Sequence, residues 1–533
     1  MGRTTVLSAL SVLVLVLSGC KGDPKTPEYW DKQINSAHRA KDKVRVVDDL
    51  RESGNANASF IPMLLNRLSQ DKQPEVRGAI ARVLGSLKDA SAVGALTDAI
   101  DMGSTDSAEN AMNKDIASAL GKIGDAKATP TLMRLIKARD NYVRIEAINA
   151  LGALHAKDAV DPLLEIVQDD QGEPFISKKA IQALGDIGDA KAIPALVRMM
   201  FKERRGVSFY PESSFALFQI GRPASEALIA VVKGDDKQTW SWVKENNILE
   251  PAVLAKCAQV LGDLHERGAQ AALIKQLSFN SDFLDLKLFV RMKAADALGR
   301  LRVKEAVKPL AGMLDEDEAT ARLEYIRALE KIGGRDAVAA LQKSASKGSW
   351  DAREPAMIGL AMLGDEREIP AFERYAKDEE KLTAAECKDN PDYTGCKEQP
   401  ALVKKHVEAI QTHLKRLEAA KECKSDAACW VKKLEDPTPG VRERSAMELG
   451  HSGKGELVAE LLKHLKEPNL DARSAVIQAA DWLVTEDKGA AKTAQDSSAA
   501  IDKQLDEEHG KTEFVKVNED LRRLAVDVKR QSA

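Results

Sequence analysis

Apolar positions recur along this chain at helical spacing, and a fixed pair of leucines marks each recurrence. The Leu-x11-Leu pairs are Leu84/Leu96, Leu120/Leu132, Leu151/Leu163, Leu184/Leu196, Leu261/Leu273, Leu298/Leu310, Leu329/Leu341 and Leu449/Leu461, with Leu360/Phe372 and Leu217/Leu228 as close variants. From Leu84 to Leu360 the first members stand 31 to 44 residues apart, a period that marks stacked supersecondary units rather than separate globular domains. Segments such as "VRMKAADALG" put apolar and small residues on one face of a helix, here termed helix A. Four residues past the leucine come Gly124, Gly188, Gly221, Gly333, Gly364 or Gly453, suited to a left-handed helix end. Asp125, Asp189 and Asp365, then Pro130, Pro194 and Pro370, suit the start of a second helix, B. The glycines of "LGDIGDAKAIPAL" (184–196) thus read as punctuation between A and B. A phosphate loop is excluded because the Gly-x4-Gly-Lys-Ser/Thr spacing is absent.

The segments "LGDIGDAKAIPAL", "LGKIGDAKATPTL" and "LGRLRVKEAVKPL" resemble the short HEAT-like repeat first associated with phycobilisome lyases. The resemblance spans about residues 40–480 and implies an all-α fold, an α-solenoid of stacked HEAT-like helix pairs in which each pair buries its apolar face on its neighbours. Bilin attachment does not follow from the repeat alone. The expected organisation is a leader at 1–20, a tether and N-terminal helix at 21–39, the repeat array at 40–372, a cysteine-containing insertion with a degenerate repeat at 373–440, and a C-terminal repeat with capping helices at 441–533.

Composition supports amphipathic helices: 30% of residues are charged, only 4% aromatic, and the 533-residue chain carries a formal charge of -4. That mild acidity argues against nucleic acid as a partner. The leader changes the compartment. Arg3, the apolar run from Val6 to Leu17 and Leu17-Ser18-Gly19-Cys20 resemble the lipobox of bacterial lipoproteins, which implies cleavage before Cys20 and a covalent lipid on its thiol. The apolar run is short for a membrane span, and the two or three acyl chains the resemblance implies would hold the protein stably. Lys21, where an aspartate favours inner-membrane retention in enteric-type lipoproteins, points to a lipid-anchored, periplasm-facing position at the outer membrane.

Of the remaining cysteines, Cys257 takes a position filled by Ile80, Ala147, Ala180 or Ala294 in other units, so it reads as core. Cys387 and Cys396, then Cys423 and Cys429, read as two disulfides in an exported protein, with sequence neighbours the favoured pairing among three. A bridge from Cys423 to Cys429 requires a helix break, which Ser425-Asp426 can supply. Zinc is disfavoured by the spacing, and no metal or other cofactor is expected. Arg77, Arg144, Arg291, Arg322, Arg353 and Arg442, each seven before its leucine, should form a ladder pairing with acidic neighbours between repeats. His155 and His265 occupy the glycine slot and read as capping or exposed residues. The acidic run from Asp315 to Glu318 reads as a solvated turn.

No catalytic motif is found: there is no Gly-x-Ser-x-Gly, His-Glu-x-x-His or Cys-x-x-Cys. A non-enzyme is therefore expected, with a lyase-like HEAT-repeat enzyme as one alternative and an architectural envelope protein without a defined partner as another. Extra residues fall between helix B and the next A, at 168–176, 202–213, 233–251, 276–289 and 386–400, so these insertions should emerge on one edge. They carry the candidate partner-binding aromatics Phe209, Tyr210, Trp240, Trp242, Phe279 and Phe283; the competing reading is that these side chains fold back over their own helices. The leading expectation is a lipid-anchored scaffold or adaptor that binds another, unidentified envelope protein.

Overall fold

The computed structural model describes residues 22–315 and 318–532. Cys20 with its leader, and Glu316 and Asp317 of the acidic run, lie outside the described residues. Among those residues the chain forms 30 α-helices, short 3-10 turns and one two-residue-per-strand hairpin, Glu203–Arg204 paired with Val207–Ser208. The fold is all-α, a solenoid of stacked HEAT-like helix pairs.

The leucine pairs are its core. All twenty positions of the Leu-x11-Leu set, Phe372 included, are at most 1% exposed. The A-to-B turn is built the same way in successive repeats. Gly124 and Gly188 end their A helices at φ 79° and 74°, and Asp125 and Asp189 accept hydrogen bonds from the backbone N–H of Lys127 and Lys191 (2.8 and 2.9 Å), capping a 3-10 turn that leads into helix B. Lys88, His155, His265 and Arg302 fill the glycine slot in the same left-handed conformation, φ 48° to 54°.

Where a glycine directly follows the anchor leucine it has another role, which corrects its reading as punctuation. Gly85, Gly121, Gly262 and Gly450 lie inside A helices, and a Cβ on any of them would stand 2.8 Å from an atom of Ala119, Ala150, Ala297 or Ala479 of the next A helix. Each of these alanines precedes an anchor leucine or its equivalent, so a helix with an Ala-Leu-Gly triplet, such as Ala119-Leu120-Gly121 or Ala297-Leu298-Gly299, carries a small residue on both packing faces. Successive A helices touch backbone to backbone there.

The arginine ladder is also corrected in part. Arg144, Arg291 and Arg322 donate through Nε to the carbonyls of Ile136, Phe279 and Leu314 at 2.8 to 3.1 Å, where the preceding B helix ends, and Arg77 reaches Ala99 O at 2.8 Å. The ladder supplies donors to helix-end carbonyls that have no partner in their own helix. Acids join at Arg353, paired with Glu379 (2.8 and 3.1 Å), and at Arg442, paired with Glu467 (2.6 and 2.9 Å).

The chain divides into two compact units, residues 22–196 with 203–216, and residues 197–202 with 217–532. In the first, the A layer runs through Pro74–Leu87, Ser107–Ile123, Asn141–Ala153 and Pro174–Ile187. The hairpin insertion packs on the preceding one: Arg204 donates to Val167 O (3.1 Å), and Arg205 to Glu173 (3.0 Å) and to Gln171 O (3.2 Å).

In the second unit the A layer runs through Glu250–Asp263, Leu284–Arg300, Ala319–Ile332 and Trp350–Leu363. Two long helices, Ile369–Asp389 and Gln399–Cys423, follow. They pair with each other and are joined to Trp350–Leu363 by a buried network: Glu379 takes Arg353, His406 Nδ1 (2.9 Å) and the Thr383 hydroxyl (3.0 Å), while His406 stacks on Trp350 at 3.8 Å. Cys387 bonds to Cys396 and Cys423 to Cys429, with Cα separations of 5.4 and 5.2 Å. The helix carrying Cys423 ends there, and Asp426 caps the next, Ala427–Lys433, by accepting from Ala428 N. Cys257 is fully buried, and burial pushes its thiol up to about 12.

Candidate functional site

The C-terminal helices of the second unit, Pro439–His451, Leu470–Glu486 and Val515–Ser532, return to the turns and inner ends of its earlier A helices. Arg444 donates to Ala361 O and Gly364 O (both 2.6 Å), His451 Nε2 meets Lys331 O (3.1 Å), and Trp482 Nε1 donates to Arg300 O (3.3 Å). Trp482 is held between the His451 ring, 5.1 Å away, and the Arg302 guanidinium at 5.2 Å. Burial and the nearby Arg302 push His451 down to about 4.

These returns enclose a charged centre. A cavity of about 430 Å3 is bounded by seven carboxylates and six cations, among them Asp296, Arg300, Glu330, Lys331, Asp520 and Arg523. Arg300 reaches Asp263 (3.2 Å), Asp296 (3.1 Å) and Asp520 (3.7 Å). Arg523 reaches Asp263 (3.1 Å) and Asp520 (3.2 Å), and Lys331 reaches Asp296 (2.6 Å). Burial works against charge on Asp296, yet Arg300 and Lys331 outweigh it and hold the carboxyl far below its ordinary range. Burial prevails at Glu330, where Glu443 adds repulsion and the carboxyl rises to about 8. Two carboxyls lining one cavity are thus displaced in opposite directions, Asp296 down and Glu330 up.

At one end of this centre His265 Nε2 meets Asp481 at 2.8 Å, and Asp527 completes a group whose ligand atoms all lie within 4.8 Å of one another. His265 is therefore more than the capping residue expected from its slot. It keeps the left-handed turn and also points its ring at an acid 216 residues later. His155, in the equivalent slot of the first unit, meets a backbone oxygen, Asp186 O, at 2.5 Å.

The candidate aromatics divide. Phe209 is fully buried beneath the Arg204 guanidinium (5.0 Å), so its reading as an exposed contact is corrected: it plugs the first unit. Tyr210 begins a helix and is half-buried. Trp240 and Trp242 lie on a helix of their own, Lys237–Glu245, in place of a loop. Trp240 donates to Val231 O (2.9 Å) and, with Phe279, packs on Leu254, Ala255 and Val290, while Trp242 lies 5.9 Å from the Arg198 guanidinium. Phe283 is left 70% exposed, next to Leu284 at 46%.

Residues 61–142, 104–175 and 134–207 match the family of HEAT repeats. The deoxyhypusine hydroxylase of Danio rerio is 25% identical over 50% of this chain and 81% of its own length. The phycocyanobilin lyase subunit alpha of Nostoc sp. is 28% identical over 28% of this chain and 59% of its own length. A solved structure of importin beta is 12% identical over 93% of this chain and 71% of that one, with a TM-score of 0.45. These relatives are named as a hydroxylase and a lyase, and that overturns the expectation of a non-enzyme drawn from the lack of a linear catalytic motif. With HEAT repeats matched by sequence over residues 61–207 and an all-α solenoid of helix pairs beyond them, the chain is HEAT-like in its repeats and fold.

Proposed function

We propose that this chain is a lipid-tethered scaffold of the bacterial envelope that grips a partner protein on the insertion edge of its second unit. One observation carries the reading: Phe283 and Leu284 stand exposed beside insertions whose other aromatics, Trp240 and Phe279, are already packed as a floor. Apolar side chains over a rigid base are what a protein-binding hot spot needs. The covalent lipid on Cys20 and the periplasm-facing outer-membrane position rest on "LSGC" and Lys21. A photo-crosslinking residue at 284, in the native envelope, should give one discrete adduct that is lost in Phe283→Asp. Diffuse or absent adducts would defeat the reading. Cys20→Ser should release the chain from the membrane fraction, and unchanged attachment would remove the tether from it.

The charged centre and the relatives' names favour a second reading, in which the same chain also acts chemically on a charged small ligand or side chain. A ligand screen by thermal shift tests it: a compound that stabilises the wild type and not Lys331→Met would identify the substrate class. A full screen without such a compound counts against it.

A further inference from the structure

Around His265 the acids outnumber the permanent cations, and the imidazole itself, beside Asp481 and Asp527, is the remaining group able to carry positive charge. Asp263, Asp296, Asp481, Asp520 and Asp527 face Arg300, Arg523, Arg530 and Lys331, five acids against four permanent cations. Asp263, Asp296, Asp520 and Asp527 each pair with an arginine or lysine, whereas Asp481 pairs with His265. Asp527 is 98% buried (2% exposed), and one of its oxygens is held by Arg530 at 2.8 Å. Its other oxygen, Oδ2, and Asp481 Oδ1 are both buried and have no hydrogen-bond donor. Two buried carboxylate oxygens in one cluster without a donor repel unless something positive sits between them. A small cavity bounded by His265, Asp481, Asp263 and Asp520, with Arg300 and Arg523 on its wall, adjoins the cluster with about 10 Å3 of space, close to what one water needs. The His265 and Asp481 side chains remain 18% and 13% exposed, which leaves a way in.

We propose that His265, Asp481 and Asp527 form a binding site for one divalent first-row transition cation. One imidazole nitrogen with two carboxylates suits zinc, manganese or iron(II) better than calcium, which takes oxygen donors alone. The cation neutralises the uncompensated acid, gives Asp527 Oδ2 and Asp481 Oδ1 a shared partner, and replaces the proton on His265 Nε2. Arg530 holds the far oxygen of Asp527 and so orients it from outside the site. Bound there, the ion ties the turn after Glu250–Asp263 to Leu470–Glu486 and Val515–Ser532, three segments far apart in sequence.

The test titrates the chelator-treated full chain with Co2+ and with Zn2+. The wild type should take up one equivalent of either, give a cobalt ligand-field spectrum and melt higher with metal. Asp527→Asn and His265→Gln should each weaken uptake at least about 100-fold and lose the metal-dependent rise in melting temperature, while melting as cooperatively as the wild type in chelator. No uptake by the wild type, or equal uptake by wild type and both variants, overturns the proposal and leaves a shared proton as the occupant. Should either variant fail to fold, X-ray absorption of the wild-type cobalt complex decides. One imidazole among oxygen donors supports the site, and sulfur donors or no imidazole overturn it. None of these readouts depends on partner capture, so the site and the scaffold reading fail separately.

Discussion

Two glycines of one repeat separate two physical roles. Gly121 sits inside Ser107–Ile123, where a Cβ would stand 2.8 Å from Ala150 Cβ and 3.0 Å from its Cα, both on rigid helix. Gly124 ends the same helix at φ 79° with open space around it. Gly121→Ala must push two A helices apart and should cost about 1–3 kcal/mol. Gly124→Ala should cost about 1 kcal/mol through its left-handed backbone alone. Denaturant melts rank the two, and equal costs would show that the A layer yields easily. At Glu330 the sign of a pH effect can be worked out. Its carboxyl rises from 4.5 to about 8 because burial and Glu443 disfavour the charge. The folded state therefore holds a proton that the unfolded chain has released, and stability falls as pH climbs from about 4.5 through 8. Glu330→Gln removes that loss. Its gain over the wild type should grow across this window to on the order of 1–2 kcal/mol, below the ideal linkage value because the side chain keeps partial solvent access. Melts at pH 5 and pH 8.5 measure it, and a gain that shrinks with pH would show Glu330 to be ionised in the fold.

At the level of elements, helix order and the buried leucine set were legible in sequence because every unit repeats the same local problem: an apolar stripe, a left-handed stop and a capped restart. The Ala-Leu-Gly contact was equally visible as letters. Its meaning was not, because a glycine one residue after the anchor and a glycine four residues after it look alike until the helix end is located. The insertions were placed correctly between B and A, but their aromatics were not resolved into floor and surface. Amphipathic spacing does not say whether a tryptophan folds back on its own repeat, and the bond from Trp240 to Val231 O is what decides it. That assignment can be tested by substitution. Trp240→Ala removes a hydrogen bond and the cover over Leu254, Ala255 and Val290, and should cost about 3–5 kcal/mol of stability. Phe283→Ala, at 70% exposure, should change stability by no more than about 0.5 kcal/mol while weakening partner crosslinking. The reverse pattern would place the binding surface on Trp240 and make Phe283 structural.

The charged centre belongs to the second unit as a whole, which is why no window of sequence disclosed it. Asp263, Arg300 and Lys331 each stand two residues past an anchor leucine, a slot that other repeats fill with anything from Ala153 and Met362 to Ser86 and Lys122, and Asp520 and Arg523, which pair with Arg300 and Asp263, arrive more than two hundred residues later. The same returns alter how the unit should respond to damage. In an open solenoid each repeat feels only its neighbours, so a lesion at one end fades along the array. Here the final helix comes back to the first pair of the unit: Arg530 donates to Phe218 O, its guanidinium lies 4.8 Å from the Phe218 ring, and its Nε would stand 3.4 Å from a Cβ on Gly221. Joined ends make the unit a loop of contacts, and opening one end should loosen the other. Arg530→Ala should therefore raise amide exchange in the first-pair helix, Arg222–Lys233, 297 residues or more away in sequence, by at least about tenfold, and lower the unit's melting temperature as a single transition. Exchange confined to Val515–Ser532, with Arg222–Lys233 unchanged, would mean that the second unit behaves as an open array and that its closing contact adds nothing to cooperativity.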